Sequence, residues 1–271
     1  MGDKDDERLG RLVDAVLLSS KYKNVCKDLV RSIGFRELTK RHTLKEAIKA
    51  TRNTLHQVGG AYLERGAPYG VWLDELREAS RSRNRDLLRN ACRNIMGHHS
   101  STRERLQILG SFYAITLADL SPIRTVVDVA CGLNPLAVPW MPLAEDATYY
   151  AYDIYQDMVN FLNECMALLE VQGHAQVCDV TQGCPAPRGD VAFVLKTLPC
   201  LEQITPSASF QLLNTIRADH LLVSFPVRSL GGRDKGMVNH YEGLFRERVA
   251  DAGWSIRRFE FATELAFRVT K

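Results

Sequence analysis

Three acids stand at a spacing that could hold a nucleoside: Asp128, Asp153 and Asp179. Each lies in or just after an apolar run with strand character. These are Val126-Val127-Asp128-Val129, then Tyr149-Tyr150-Ala151-Tyr152 before Asp153, then Ala175 to Cys178 before Asp179. The first run passes at once into small residues, Ala130, Cys131 and Gly132. A strand that ends in a small-residue turn brings backbone N–H groups close to a ligand at the carboxyl edge of a sheet. An acid at the tip of the second strand is where a doubly wound sheet holds a ribose diol. Asp153 is therefore the candidate ribose acceptor. Asp179 and Val180 would flank an adenine, and Gly132 would let the rest of the ligand pass. Asp128, Ala130, Ile154 and Leu195 complete the candidate cofactor set. The turn reads ACGLNP and lacks the second and third glycines of GxGxxG, which admit a pyrophosphate. A nucleoside-type ligand without a diphosphate is expected, and S-adenosylmethionine (SAM) fits best.

The reacting side is read from the fourth strand, DVAFVLKTLPCLE, residues 190–202. Methylases of exocyclic amines carry [DNS]-P-P-[YFW] here, and this chain has Lys196-Thr197-Leu198-Pro199 instead. Methylation of an adenine or cytosine amino group is disfavoured. Pro199-Cys200 keeps another chemistry open, because cytosine-C5 methylases attack C6 with a cysteine in such a pair. Cys200 also reads as an ordinary core residue. The loop after the fifth strand, SFPVRSLGGRDKGMVNHYE, sets Arg228, Arg233 and Lys235 among three glycines, ahead of Met237 and Tyr241. Glycines let backbone lie against a ligand, and the cations suit phosphates. Met237 and Tyr241 could pack on a base taken out of its stack. In LHQVGGAYL, His56 and Tyr62 could also face a base.

These residues need a parallel sheet, and the second half of the chain provides one. Strands are expected at 126–130, 149–153, 175–179, 190–196, 220–226, 255–261 and 265–270, with a helix over 156–170 in one crossover. The last two strands form an antiparallel hairpin through Thr263-Glu264. Residues 1–120 read as helical. Apolar residues recur at helix spacing in 8–19 and 28–38. Thr43-Leu44-Lys45-Glu46 and Ser101-Thr102-Arg103-Glu104 read as capping boxes. The expected organisation is a helical, basic domain over 1–120 and an α/β SAM-binding domain over 121–271.

Composition narrows the class. The chain has 271 residues and 45% hydrophobic residues, enough for one large or two modest domains. No run approaches the roughly 18 apolar residues of a membrane span. The charged start MGDKDDERLG carries no secretory h-region and no myristoylation pattern, so a cytoplasmic protein with no membrane partner is expected. Seven cysteines without any C-x-x-C read as reduced and buried. No metal site is expected, since His98 and His99 diverge by about 100° on a helix. Residues 1–125 carry 23 Lys and Arg against 15 Asp and Glu, and residues 126–271 carry 12 against 17. A basic front half attached to an acidic nucleoside-binding half is the footprint of a polyanionic substrate.

Seven stretches, in order along nearly the whole chain, resemble the aminoglycoside-resistance 16S rRNA (guanine-N7)-methyltransferases, the Arm/Rmt group and the enzymes of antibiotic producers. They are SSKYKNVC (19–26), LHQVGGAYL (55–63), HSSTRERL (99–106), DVACGLNPLAVPWM (128–141), VLKTLPCLE (194–202), SFPVRSLGGRDKGM (224–237) and the terminal TELAFRVTK. The terminal strand departs from the group's more usual LIY type, with Phe267 keeping an apolar side chain there. The resemblance implies a class I SAM-dependent methyltransferase fold, Rossmann-like, doubly wound and mostly parallel, behind an all-helical domain that docks on the 30S subunit. It implies a monomer that methylates N7 of a decoding-site guanine of 16S rRNA. It places Arg105 on the methionine carboxylate, Asp153 on the ribose and Asp179 near the adenine. Lys196, Arg228, Arg233 and Met237 would serve the target nucleotide, and His56, Tyr62 and Lys235 the surrounding RNA. Guanine N7 carries a lone pair and no proton, so no general base is expected. Two alternatives stay open: a cytosine-C5 RNA methylase using Cys200, and a non-catalytic SAM-binding protein of the ribosome.

Overall fold

The computed structural model describes residues 3–60, 62, 66–183, 186–204, 208–227 and 236–271. The front of the chain is helical: α1 Asp3–Leu17, α2 Lys27–Lys40, α3 Leu44–Leu55 with a π-helical turn His56–Gly60, α4 Tyr69–Arg81, α5 Arg85–Met96, α6 Ser100–Arg105 and α7 Leu109–Thr116. Strands and helices then alternate: β1 Ile123–Val129, β2 Leu143–Asp153, α8 Gln156–Leu168, β3 Gln172–Val177, β4 Gly189–Leu195, α9 Leu198–Ile204, α10 Ala208–Thr215, β5 Ala218–Pro226, α11 Met237–Val249, β6 Ser255–Glu260 and β7 Glu264–Thr270. All seven expected strands form, six of them within three residues of the expected bounds, while β2 starts six residues earlier, at Leu143.

Local chemistry starts α3 as expected. The Thr43 side chain accepts from the Glu46 N–H, and the Glu46 carboxylate accepts from the Thr43 N–H. The second expected capping box does not form. Helix α6 begins two residues earlier than that box would set it, at Ser100 after His99, with no side-chain cap. Glu104 turns away to Lys196 instead, at 2.7 Å. A strong ion pair in the tertiary structure outcompetes a local cap on a helix of six residues.

The sheet order is β3-β2-β1-β4-β5-β7-β6. Strands β1 to β5 are parallel, and β7 lies antiparallel between β5 and β6, with Val223 opposite Phe267. The order reverses between β1 and β4, which opens a crevice at the carboxyl ends of these two strands. Alternation along each strand splits the core. Val126, Tyr149, Ala151, Phe193 and Leu222 face α4, α5, α7 and α8. Val127, Val129, Ala192, Val223 and Phe267 face α9, α10 and α11.

The cores divide earlier than residue 120. Only α1 to α3 build a core of their own, around Leu12, Val16, Val30 and Ile33. Helices α4 to α7 put Trp72, Leu76, Ile95, Phe112 and Tyr113 into the main core against the sheet. The second half of the helical stretch therefore packs its apolar faces on the sheet. The α1–α3 unit is pinned to the tip of β2. The Cys26 N–H donates to Ile154 O at 2.7 Å, Gln156 N–H to Asn24 O at 2.8 Å, and Asn24 Nδ2 to Asp157 Oδ2 at 2.7 Å. Gly59 closes the same seam; a Cβ there would lie 2.7 Å from the Tyr155 hydroxyl. Among the described residues no helix is long and apolar enough to cross a membrane, and no cluster of three or more His, Cys, Asp or Glu could hold a metal.

Candidate cofactor and target site

At the switch point lies an open pocket. Its wall brings together most of the expected cofactor residues: Ala130, Gly132, Asp153, Ile154, Asp179, Val180 and Leu195, with Lys196 and Tyr62. The turns that end β1 and β4 are strained. Ala130 and Lys196 adopt left-handed backbone, with φ of +52° and +58°, which costs a non-glycine residue on the order of 1 kcal/mol or more. Such strain persists where the surroundings hold it, as at functional sites. Gly132 also has φ +52°, and a Cβ there would lie 2.7 Å from the His99 ring. Both the backbone and the space demand glycine.

Asp153 and Asp179 present carboxylates from neighbouring strand ends. Asp153 Oδ2 accepts from the Gly132 N–H at 2.9 Å, and Oδ1 from the Ile154 N–H at 2.7 Å. One side chain thus ties the turn after β1 to the tip of β2. Burial pushes its carboxyl up, against the pull of those N–H groups. Asp179 Oδ1 accepts from the Thr181 N–H and hydroxyl, at 3.0 and 2.6 Å. Its Oδ2 is buried without a hydrogen-bond partner, and burial raises this carboxyl too.

Two expected cofactor residues do not line the pocket. Arg105 is buried behind it, held bidentately by Glu264 through Nη2 at 2.7 Å and Nε at 3.1 Å, while Nη1 donates to Asn134 at 2.9 Å. Asp128 also lies behind the wall. Its Oδ2 accepts from the Tyr149 hydroxyl at 2.6 Å and from Asn134 Nδ2 at 2.9 Å. Burial pushes its carboxyl up to about 6. In this structure the two serve a buried polar network beneath the β1 turn rather than the pocket surface.

Beyond Lys196 a second hollow opens, lined by Tyr62, Ser101, Glu104, Lys196, Met237 and Tyr241. It shares Tyr62, Ser101, Lys196 and Cys200 with the first pocket. Lys196 Nζ donates to Glu104 at 2.7 Å and to Ser101 O at 3.1 Å, and sits 3.4 Å from Glu264. Cys200 lies 3.1 Å from the Tyr62 hydroxyl, and burial pushes its thiol up. Tyr241 stacks on Phe225, with centroids 5.0 Å apart. His56 stands outside both hollows, exposed, with Nδ1 3.1 Å from Lys21 Nζ. Arg228, Arg233 and Lys235 fall outside the described residues.

The residues missed by sequence reasoning are His99, Asn134 and Glu264. Burial holds His99 down to about 4, so it is neutral at pH 7, with Nδ1 2.9 Å from the Ser101 hydroxyl. Burial pushes the Glu264 carboxyl up, but the charges of Arg105 and Lys196 outweigh it and hold the group below its ordinary value. The signal for Glu264 was present: a single acid opening a buried apolar strand, ELAFRVT.

Comparison with known proteins agrees with this architecture. The family model described as Ribosomal RNA methyltransferase (FmrO) matches residues 18–268. A 16S rRNA (guanine(1405)-N(7))-methyltransferase of Frankia casuarinae is 38% identical over 269 residues, covering 98% of this chain and 95% of that protein. The enzyme of the same description from Micromonospora echinospora is 32% identical, covering 98% of each. Among solved structures, the 16S rRNA methyltransferase RmtF in complex with S-adenosyl-L-homocysteine superposes with a TM-score of 0.84 at 32% identity. That match covers 100% of this chain and 99% of the other.

Proposed function

The chain belongs to the ribosomal RNA methyltransferase (FmrO) family, and from that premise we propose that it transfers the methyl group of SAM to N7 of guanine 1405 of 16S rRNA. One observation carries the reading. A chain that matches this family over nearly its whole length has, at its switch point, a pocket walled by Gly132, Asp153 and Asp179. These residues fit SAM. Each Asp153 oxygen is bonded by a backbone N–H, which leaves lone pairs for the two hydroxyls of a ribose. The partnerless Asp179 Oδ2 suits the amino group of adenine, with Val180 beside it. Bound there, SAM supplies a methyl group on a positively charged sulfur.

The chain's own residues have little chemistry to perform. Guanine N7 carries an in-plane lone pair and no hydrogen, so no side chain has to take a proton. Position is what the site contributes. The second hollow takes a base removed from its stack, with Tyr62 and Met237 as packing surfaces and the Lys196 ammonium at the inner edge. Arg228, Arg233 and Lys235 hold the adjoining phosphates. Cys200 is no nucleophile in this scheme: burial keeps it a thiol, hydrogen-bonded to Tyr62, whereas attack needs a thiolate. The substrate is the 30S subunit, approached by a monomer in the cytoplasm, and the product subunit resists aminoglycosides. The basic face of α3, with Lys45, Lys49 and Arg52 along one hollow, supports such docking.

The test is transfer of tritiated methyl from SAM to purified 30S subunits and to naked 16S rRNA, followed by borohydride and aniline, which cleave at N7-methylguanine. A single break at guanine 1405, with 30S preferred, is the expected result. Incorporation without cleavage would overturn the N7 assignment. No incorporation into either substrate would reduce the protein to a SAM-binding fold.

A further inference from the structure

Two nearly buried cations flank one carboxylate: Lys196 on the wall shared by the two hollows, and Arg105 behind the first of them. Arg105 is 1% exposed and Lys196 6%. A buried cation without a counter-charge costs several kcal/mol, so the anions that neutralise them deserve to be identified. Among the described residues, Glu264 is the one carboxylate that reaches both, at 2.7 Å from Arg105 and 3.4 Å from Lys196. It is fully buried. Its Oε1 also accepts from the Ser224 hydroxyl at 2.5 Å, which fixes it to β5. Glu104 closes the group on the open side, 2.7 Å from Lys196 with a side chain 34% exposed. The four form a chain of alternating charge, Arg105–Glu264–Lys196–Glu104, whose net charge is zero with all four ionised. Arg105 carries the chain on to Asn134, under the β1 turn.

This balance matters because of what the first pocket is read to hold, and the argument rests on that reading. The sulfur of SAM is positively charged, and that of the product S-adenosylhomocysteine is neutral. Lys196 lines the pocket, so an unbalanced ammonium there would repel the substrate cofactor and not the product. We propose that Glu264 is a positioning residue that neutralises Lys196 and Arg105, and that it thereby sets the preference of the pocket for a cationic over a neutral cofactor. It touches neither ligand and acts through the two cations it holds.

The experiment is calorimetric titration of the full-length protein with SAM and with S-adenosylhomocysteine, read as the ratio of the two dissociation constants. Glu264→Gln keeps the shape and removes the charge. The ratio is expected to move against SAM by roughly five- to thirty-fold, the range for one unit charge about 8–15 Å away in an effective dielectric of about 20. Lys196→Gln is expected to move it the opposite way. The double variant restores the net charge and is expected to return to the wild-type ratio. The series remains readable if Glu264→Gln alone fails to fold, because the double variant is then compared with Lys196→Gln. A structural role for Glu264 would weaken both ligands together and leave the ratio unchanged, and that result overturns the proposal. Failure of the wild-type protein to bind either ligand would overturn the SAM reading itself, which is a separate outcome.

Discussion

Asp128→Asn tests the electrostatics under the β1 turn. The Asp128 carboxyl is 1% exposed. One oxygen accepts from Tyr149 and Asn134, and the other has no hydrogen-bond partner. Burial outweighs those hydrogen bonds and lifts the group from 3.8 to about 6. Each unit is worth about 1.4 kcal/mol, so the two units amount to about 3 kcal/mol. The sign follows from proton binding: between about pH 4 and 6 the folded state holds this proton and the unfolded state does not. Stability from Asp128 is therefore fully present below pH 4 and is lost as pH rises through 6. Over pH 5 to 8, where denaturant unfolding is practical, roughly 1 kcal/mol of this loss falls in the window.

Asparagine keeps an acceptor for Tyr149 and Asn134 and cannot ionise. It also points an unpaired amide N–H₂ where Asp128 has its partnerless oxygen, which costs about 1–3 kcal/mol at every pH. The absolute stability of the variant is thus less informative than its slope. Urea unfolding of both proteins at half-unit steps from pH 5 to 8 should show the wild type losing about 1 kcal/mol relative to Asp128→Asn. Parallel curves would refute the reasoning. They would mean that Asp128 ionises at its ordinary value, with the nearby Arg105 charge compensating for burial.

Gly132→Ala forces an L-residue to φ +52° and a methyl to 2.7 Å from His99; thermal unfolding should show a loss of about 1–2 kcal/mol, and calorimetry a SAM affinity at least tenfold weaker. Asp153→Ala strands the Gly132 and Ile154 N–H groups that it now accepts from, and SAM binding by calorimetry should disappear; unchanged affinity would break the ribose assignment. Cys200→Ala should keep methyl transfer to 30S within a few-fold of wild type, because a thiol held protonated takes no part in attack. Thr43→Ala removes the hydroxyl that accepts from the Glu46 N–H and leaves the backbone half of the α3 capping box; it should cost about 1 kcal/mol in denaturant unfolding, with transfer at saturating substrate unaffected.

The strands and the cofactor-side acids were legible because burial on a parallel sheet leaves continuous apolar runs, and the acids at their ends interrupt them. Asp153, Asp179, Gly132 and Val180 all meet at one pocket wall for that reason. The Thr43 capping box was legible because both of its halves lie within four residues. The Ser101–Glu104 pattern looks the same locally, yet Glu104 pairs with Lys196, 92 residues away. Arg105 and Glu264 meet across 159 residues, and nothing local in either segment announces the other. The division of the core was less legible for a related reason. Periodicity shows that α4 to α7 have an apolar face, and only the tertiary fold shows that this face covers the sheet.

Helix α6 shows how little chain the site needs to join its two sides. Glu104 and Arg105 are neighbours, and successive residues on a helix point about 100° apart. One side chain therefore reaches the rim of the second hollow, where Glu104 holds the Lys196 ammonium. The next reaches inward to Glu264 and Asn134, under the turn that carries Gly132. Glu264 returns from β7 to touch both cations. A shift of α6 by one residue, each residue taking its C-terminal neighbour's place, would put Arg103 at the rim beside Lys196 and Glu104 in the core beside Glu264. Like charges would then face each other at both ends, so the charges at 104 and 105 fix the register of the helix against the sheet. The same pairing that sets this register places the Lys196 ammonium between the two hollows, and the stability of α6 and the geometry around Lys196 are one interaction.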